Sequence, residues 1–158
     1  YMSGERTPHN DPNARGAFVG LNLSHGPDHL TRAVLEGVCF ALRDSVELIE
    51  GLGVSCESLI AIGSGGQNKF WRKLQADIFD MPVYVTNRNG GPSYGAAIVA
   101  AVGTSFFNDP QEAIREWIVP NHMVEPVRKD VVMYDDLYAS FQGLYPSLKD
   151  IFTRLIQN

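Results

Sequence analysis

Between Asp28 and Ile49, apolar residues return every three or four positions, at Leu30, Ala33, Val34, Val38, Ala41, Leu42, Val46 and Ile49. That period predicts a helix whose apolar face is wide enough to lie against a sheet. Asp28 or Ser24 can cap its start, Pro27 suits the first turn, and Gly51 or Gly53 ends it. The period then shortens. "SLIAIG" (58–63) is a brief apolar run bounded by turn residues, as expected of a buried strand. Asn68 can cap a second helix, "KFWRKLQADIFD", with Phe70, Leu74 and Ile78 on one face. Pro82 introduces "VYVTN" as a second buried strand. After the glycine-rich "RNGGP", the small-residue "SYGAAIVAAVG" predicts a helix able to approach another backbone closely. Upstream, "GAFVGLNL" (16–23) reads as a further short strand, preceded by an irregular loop at 1–15. Strands and helices alternating across short connections predict an α/β chain with a parallel sheet.

From Asp109 onward the pattern is helical. "DPQEAIREWI" has an aspartate cap and proline at its first position. A loop with Pro120 and Pro126 leads to a long helical run from Val131 to the end of the chain. Tyr134, Leu137, Tyr138, Phe141, Leu144, Tyr145, Leu148, Ile151, Phe152 and Leu155 keep near-helical spacing there, a stripe read as packing. Pro146 should kink or divide this helix. The expected organisation is a loop at 1–15, an α/β core at 16–104 and a helical extension at 105–158. Two strands and a short third leave sheet edges uncovered, which points to a piece of a longer protein or to another element completing the sheet.

Composition narrows the classes. Apolar residues at 44% and charged residues at 20% are ordinary for a soluble globular protein. A net charge of -5 argues against a nucleic-acid-binding surface. No apolar stretch reaches the ~20 residues of a membrane span, so no membrane partner is expected. Cys39 and Cys56 lack CxxC spacing, and Cys39 inside an apolar run reads as a buried free thiol. His9, His25, His29 and His122 show no metal-ligand spacing, so no metal site is expected in this chain.

The candidate chemistry sits at "LIAIGSGGQN" (59–68). A dinucleotide fingerprint needs G-x-G-x-x-G and an acidic residue about 20 positions on. Gly63 and Gly65 fit, but Asn68 stands at the third glycine, and the second strand ends in Val85, Thr86 and Asn87 without a carboxylate. The Walker spacing is absent as well. Glycines between strand and helix still let a ligand touch backbone, and the side chains of Gln67 and Asn68 both donate and accept hydrogen bonds. Such an amide pair suits the edge of a base better than a phosphate. The alternative is a tight strand-to-helix turn capped by Asn68 and nothing more.

"GAFVGLNLSHGPDHLTRAVLE" (16–36) resembles a signature of the FGGY carbohydrate kinases, through Gly16, Phe18, Gly20, Leu21, His29, Leu30, Ala33, Val34, Leu35 and Glu36. "IGSGGQNKFWRKLQADIFDMPV" resembles that family's adenosine-binding segment, and "GGPSYGAAIVAAVG" its next helix. The opening "YMSGERTPHNDPNARG" is similar to the xylulokinase branch, and in part to gluconate kinases. The resemblance implies part of an actin-like, ribonuclease H-like ATPase domain: a short sheet flanked by helices, with a C-terminal helical extension. Its third strand would be residues 17–22.

It further implies the C-terminal, nucleotide-binding portion of an ATP-dependent sugar kinase, using ATP with Mg²⁺ on a pentulose held by an N-terminal domain outside this chain. D-xylulose is the expected substrate, with gluconate or another polyol, or a non-catalytic actin-like module, as alternatives. No catalytic residue is expected here, so the chain alone should be inactive, and a homodimer is left open. The implied nucleotide-binding residues are Gly65, Gly66, Gln67 and Asn68. Gly90 and Gly91 take only a turn role. Glu5 and Arg6 either form a salt bridge or reach the interdomain cleft, Asp11 and Arg15 pin the first loop, and Glu36 needs a partner if buried. Asp77 and Asp80 read as solvated.

Overall fold

The computed structural model describes residues 1–87 and 91–156. In chain order the elements are α1 (Pro27–Gly51), β1 (Leu59–Ile60), α2 (Gly63–Gln67), α3 (Lys69–Phe79), β2 (Val83–Thr86), α4 (Gly91–Gly103), α5 (Pro110–Trp117), β3 (Pro120–Val124) and α6 (Arg128–Ile156). They form two compact units. One combines Tyr1–Cys56 with Arg128–Asn158; the other is Glu57–Val127.

The 57–127 unit holds the sheet, ordered β1-β2-β3. β1 runs parallel to β2, pairing Leu59 with Val83 and Ile60 with Tyr84. β3 runs antiparallel to β2, with an irregularity between Tyr84 and Val85. The sheet is therefore mixed, not parallel as the alternation of elements predicts. The loop expected around Pro120 is a strand because its backbone pairs with β2; its side chains are mostly exposed, so no apolar alternation marks it. In β2 the alternation is plain, with Val83 and Val85 buried and Tyr84 and Thr86 partly covered. α3 buries Leu74, Ala76, Ile78 and Phe79 and ends in Asp80, which takes the left-handed conformation at φ 51°. Phe70, expected on the buried face, is exposed. Ile98 of α4, Phe107 and Ala113 of α5 make a smaller core with Tyr94 and Trp117 around it.

In the other unit α1 pairs with α6. Cys39 and Phe40 are buried, and Phe40 meets Tyr134 and Tyr138 with ring centroids 6.1 and 5.8 Å apart. Polar tips finish the contact: the Tyr138 hydroxyl donates to Asp44 (2.6 Å), the Tyr134 hydroxyl to Glu36 (2.9 Å), and Arg43 pairs with Asp135 (2.8 Å). The aromatic stripe of α6 is packing, as its spacing predicts. Of the two outcomes expected at Pro146, a kink or a division, the division does not occur: α6 runs through it as one helix.

Three further expectations need correction. Gly26, not Asp28 or Ser24, occupies the cap of α1, and its N–H donates to Nδ1 of His29 (3.2 Å). The predicted apolar face of α1 is open: Val34, Val38, Leu42 and Ile49 are 44–53% exposed, and the buried line passes through Cys39, Phe40 and Asp44. Residues 16–23 form no strand. Phe18, Val19 and Leu21 are over half exposed, Gly20 turns the chain at φ 82°, and no described strand pairs with the segment, whose Asn22 carbonyl instead accepts from the His25 N–H in a turn.

Candidate functional site

The turn after β1 is built from contacts that only certain residues permit. The Leu59 and Ala61 N–H groups donate to the Pro82 and Tyr84 carbonyls (2.9 and 2.8 Å), which fixes the strand end. Gly63 then adopts φ 74°, a left-handed conformation that glycine takes without cost, and the chain coils into the one-turn α2. Gly66 is buried against the strand end; a Cβ there would stand 2.7 Å from the Ala61 carbonyl oxygen. At Gly65 the same atom would meet only the Trp71 indole at 3.8 Å, an ordinary contact. Gly65, Gln67 and Asn68 are exposed.

Asn68 closes α2 and opens α3. Its Oδ1 accepts from the Phe70 and Trp71 N–H groups (2.9 and 3.2 Å), and its own N–H donates to the Gly65 carbonyl (3.1 Å). The cap expected from sequence is in place. With Oδ1 engaged, Asn68 presents Nδ2 as a donor, while Gln67 keeps both amide functions at the surface. Behind the turn Arg72 is buried, and its Nη1 donates to the Gly66 carbonyl (2.6 Å). Sequence reasoning missed Arg72, because an arginine at that position of an amphipathic helix reads as surface charge.

Asp77 is also buried rather than solvated. It pairs with Lys73 and accepts from the Val127 N–H (2.8 Å), so the short connection between β3 and α6 is tied down by it. Asp80 is exposed. Gly91 stands at the start of α4 with φ 48°, while Gly90 lies outside the described residues.

The remaining candidates lie in the other unit. Asp11 and Arg15 do pin the first loop: Asp11 accepts from the Asn13 N–H and the Tyr145 hydroxyl (both 2.8 Å), and Arg15 donates to the Pro12 and Ala14 carbonyls. Those donors hold the Asp11 carboxyl below the usual range, the Asn13 N–H foremost. Glu5 accepts from the His9 N–H (2.8 Å), and Arg6 is exposed. Glu36 is half-buried and finds its partners in Arg32 and Tyr134. Cys39 is a buried free thiol, which burial pushes up to about 12. A concavity of about 210 Å³ lies among Tyr1, His9, Asp44, Phe141 and Tyr145. His9 stacks on Tyr145 at 3.6 Å and Asp44 is held by Tyr138, so these two groups serve loop and helix packing. Among the described residues no cluster of three or more His, Cys, Asp or Glu could hold a metal ion, and no helix is long and apolar enough to cross a membrane.

Residues 1–104 match the model of the FGGY family of carbohydrate kinases, C-terminal domain. The chain belongs to the FGGY carbohydrate kinases. It is 36% identical over 155 residues to a xylulose kinase of Bacillus subtilis, covering 98% of this chain and 31% of that protein. A gluconokinase of Bacillus subtilis is 30% identical over 156 residues, covering 98% of this chain and 30% of the relative. The solved structure of a ligand-bound xylulose kinase from Lactobacillus acidophilus superposes with a TM-score of 0.87 at 27% identity, over 98% of this chain and 31% of that one. The fold is accordingly part of an actin-like ATPase domain, with a short mixed sheet among helices. The chain spans about a third of the length of the relatives it matches.

Proposed function

We propose that this chain is the nucleotide-binding part of an ATP-dependent sugar kinase acting on D-xylulose. The observation that carries the reading is similarity to xylulose kinases along nearly the whole chain, 98% of it in the Bacillus subtilis case. In this reading the adenosine end of ATP meets the exposed rim of the turn, at Gly65, Gln67 and Asn68, with Gly66 setting the depth of the turn. The residues suit that group. Gly65 carries no side chain to obstruct a flat ligand, Gln67 offers a donor and an acceptor, and Asn68 offers Nδ2.

ATP supplies the phosphoryl group, and Mg²⁺ would screen its phosphates. The described residues hold no cluster of three or more His, Cys, Asp or Glu, and none of them is assigned to the ion. What these residues contribute is binding and orientation of the nucleotide. The sugar and the group that takes its hydroxyl proton are assigned to the part of the protein outside this chain.

The test is a coupled assay of the full-length protein against D-xylulose, other ketoses and gluconate. Preference for D-xylulose is expected; preference for gluconate would favour the second reading, which the similarity to a gluconokinase supports. In the same protein Asn68→Leu should raise the KM for ATP several-fold and leave that for sugar nearly unchanged. An unaltered ATP dependence would count against the placement of the nucleotide.

A further inference from the structure

Arg72 is the group at this turn whose chemistry the fold does not explain. It lies in the first turns of α3 and is only 5% exposed. Its Nη1 donates to the Gly66 carbonyl, but its Nε is buried without a partner. The described ion pairs join it to no carboxylate. A buried guanidinium with an unpaired N–H is a costly choice where a leucine would pack. Such a group persists where it secures something an apolar side chain cannot.

What it secures is α2. Five residues are too few to hold a helix by themselves, and the last carbonyls of any helix need donors from outside it. The Asn68 N–H satisfies Gly65, and Arg72 satisfies Gly66. Gly66 is pressed on its other side against Ala61, where β1 ends. The strand end, the glycine and the guanidinium thus form a stack, and the exposed rim at Gly65, Gln67 and Asn68 rides on it. A leucine would fill the space and leave the Gly66 carbonyl without its donor.

We propose that Arg72 is a positioning residue for nucleotide binding: by holding the Gly66 carbonyl from beneath, it sets the rim in the conformation that receives adenosine. The inference rests on the nucleotide reading of the turn. In the full-length protein, Arg72→Met keeps the length of the side chain and removes the donor. It is expected to weaken ADP binding, measured by calorimetry without sugar, and to raise the KM for ATP by about tenfold. The KM for sugar should stay within about twofold, as should kcat. Arg72→Lys restores a donor and a charge and should recover part of the loss.

Equal losses in the KM for sugar and for ATP, or unchanged ADP affinity, would overturn the proposal. Should Arg72→Met fail to fold, Arg72→Lys carries the test: weaker ADP binding at an unaltered melting temperature supports it, and unaltered binding overturns it. Gly65→Val separates this inference from the reading beneath it, because it obstructs the rim without touching Arg72. If Gly65→Val leaves ADP affinity unchanged, the turn is not the nucleotide site and both readings fall. If Gly65→Val weakens ADP binding and neither Arg72 variant does, only the role of Arg72 falls.

Discussion

At position 66 the Ala61 carbonyl leaves no room for a side chain, since a Cβ would sit 2.7 Å from it. The atom in the way is backbone just past β1, held by the Ala61 N–H bond to the Tyr84 carbonyl, so it cannot swing aside. Gly66→Ala is therefore expected to cost about 1–3 kcal/mol in urea unfolding, the usual price of overpacking. Gly65→Ala has space and a helical position, so it should be neutral or gain up to about 1 kcal/mol. The two glycines are indistinguishable in "GSGGQN", and their difference depends on which one faces β1. Asn68 is the opposite case. A side-chain acceptor followed by a helical period announces a cap, and its Oδ1 serves as one. Whether that residue also meets a ligand depends on its free Nδ2, which no sequence pattern encodes.

Among the elements, α6 carries carboxylate–phenol pairs, and those at Asp44 and Asp11 have opposite electrostatic sense. Burial against α6 raises the Asp44 carboxyl above its ordinary range, and the Tyr138 hydrogen bond offsets this only in part. The folded state then binds the proton more tightly than the unfolded chain, so stability falls as pH rises through the folded pKa and is regained toward lower pH. Asp44→Asn keeps an acceptor for Tyr138 and removes the buried charge. It should raise stability at pH 7, with the gain shrinking toward pH 4, as followed by urea unfolding at each pH. Asp11 has a lowered pKa, and its contribution is present above the unfolded value and lost as pH falls through the folded one. Asp11→Asn should therefore cost stability at pH 7 and less in acid. The helices themselves were legible because their periods are long. The buried line of α1 was not: Val34, Val38, Leu42 and Ile49 look as apolar as a core face, and only the position of α6 shows that Phe40 and Asp44 lie inside.

For the whole molecule, the similarity to kinases extends over a third of their length, and the described residues supply no metal cluster and no free buried carboxylate for proton abstraction. Asp44 is held by Tyr138, Asp11 by Tyr145, and Asp77 by Lys73 and Val127. The 158-residue chain alone is expected to release no ADP from ATP with D-xylulose or gluconate, while the full-length protein does. Sugar-dependent ADP release by the isolated chain would refute the division of labour proposed above. The α/β alternation and the family signature made the class readable from sequence. The antiparallel β3 was hidden, because an exposed edge strand needs a neighbour's backbone and not an apolar pattern. The discontinuous unit also bears on the order of events during synthesis. Asp44 and Tyr138 are 94 residues apart, and Glu36 and Tyr134 are 98 apart, whereas Glu57–Val127 is one continuous stretch. A chain emerging from the ribosome can assemble the stretch that bears the glycine turn while α1 still waits for α6, so late truncations should spare the turn and expose Phe40.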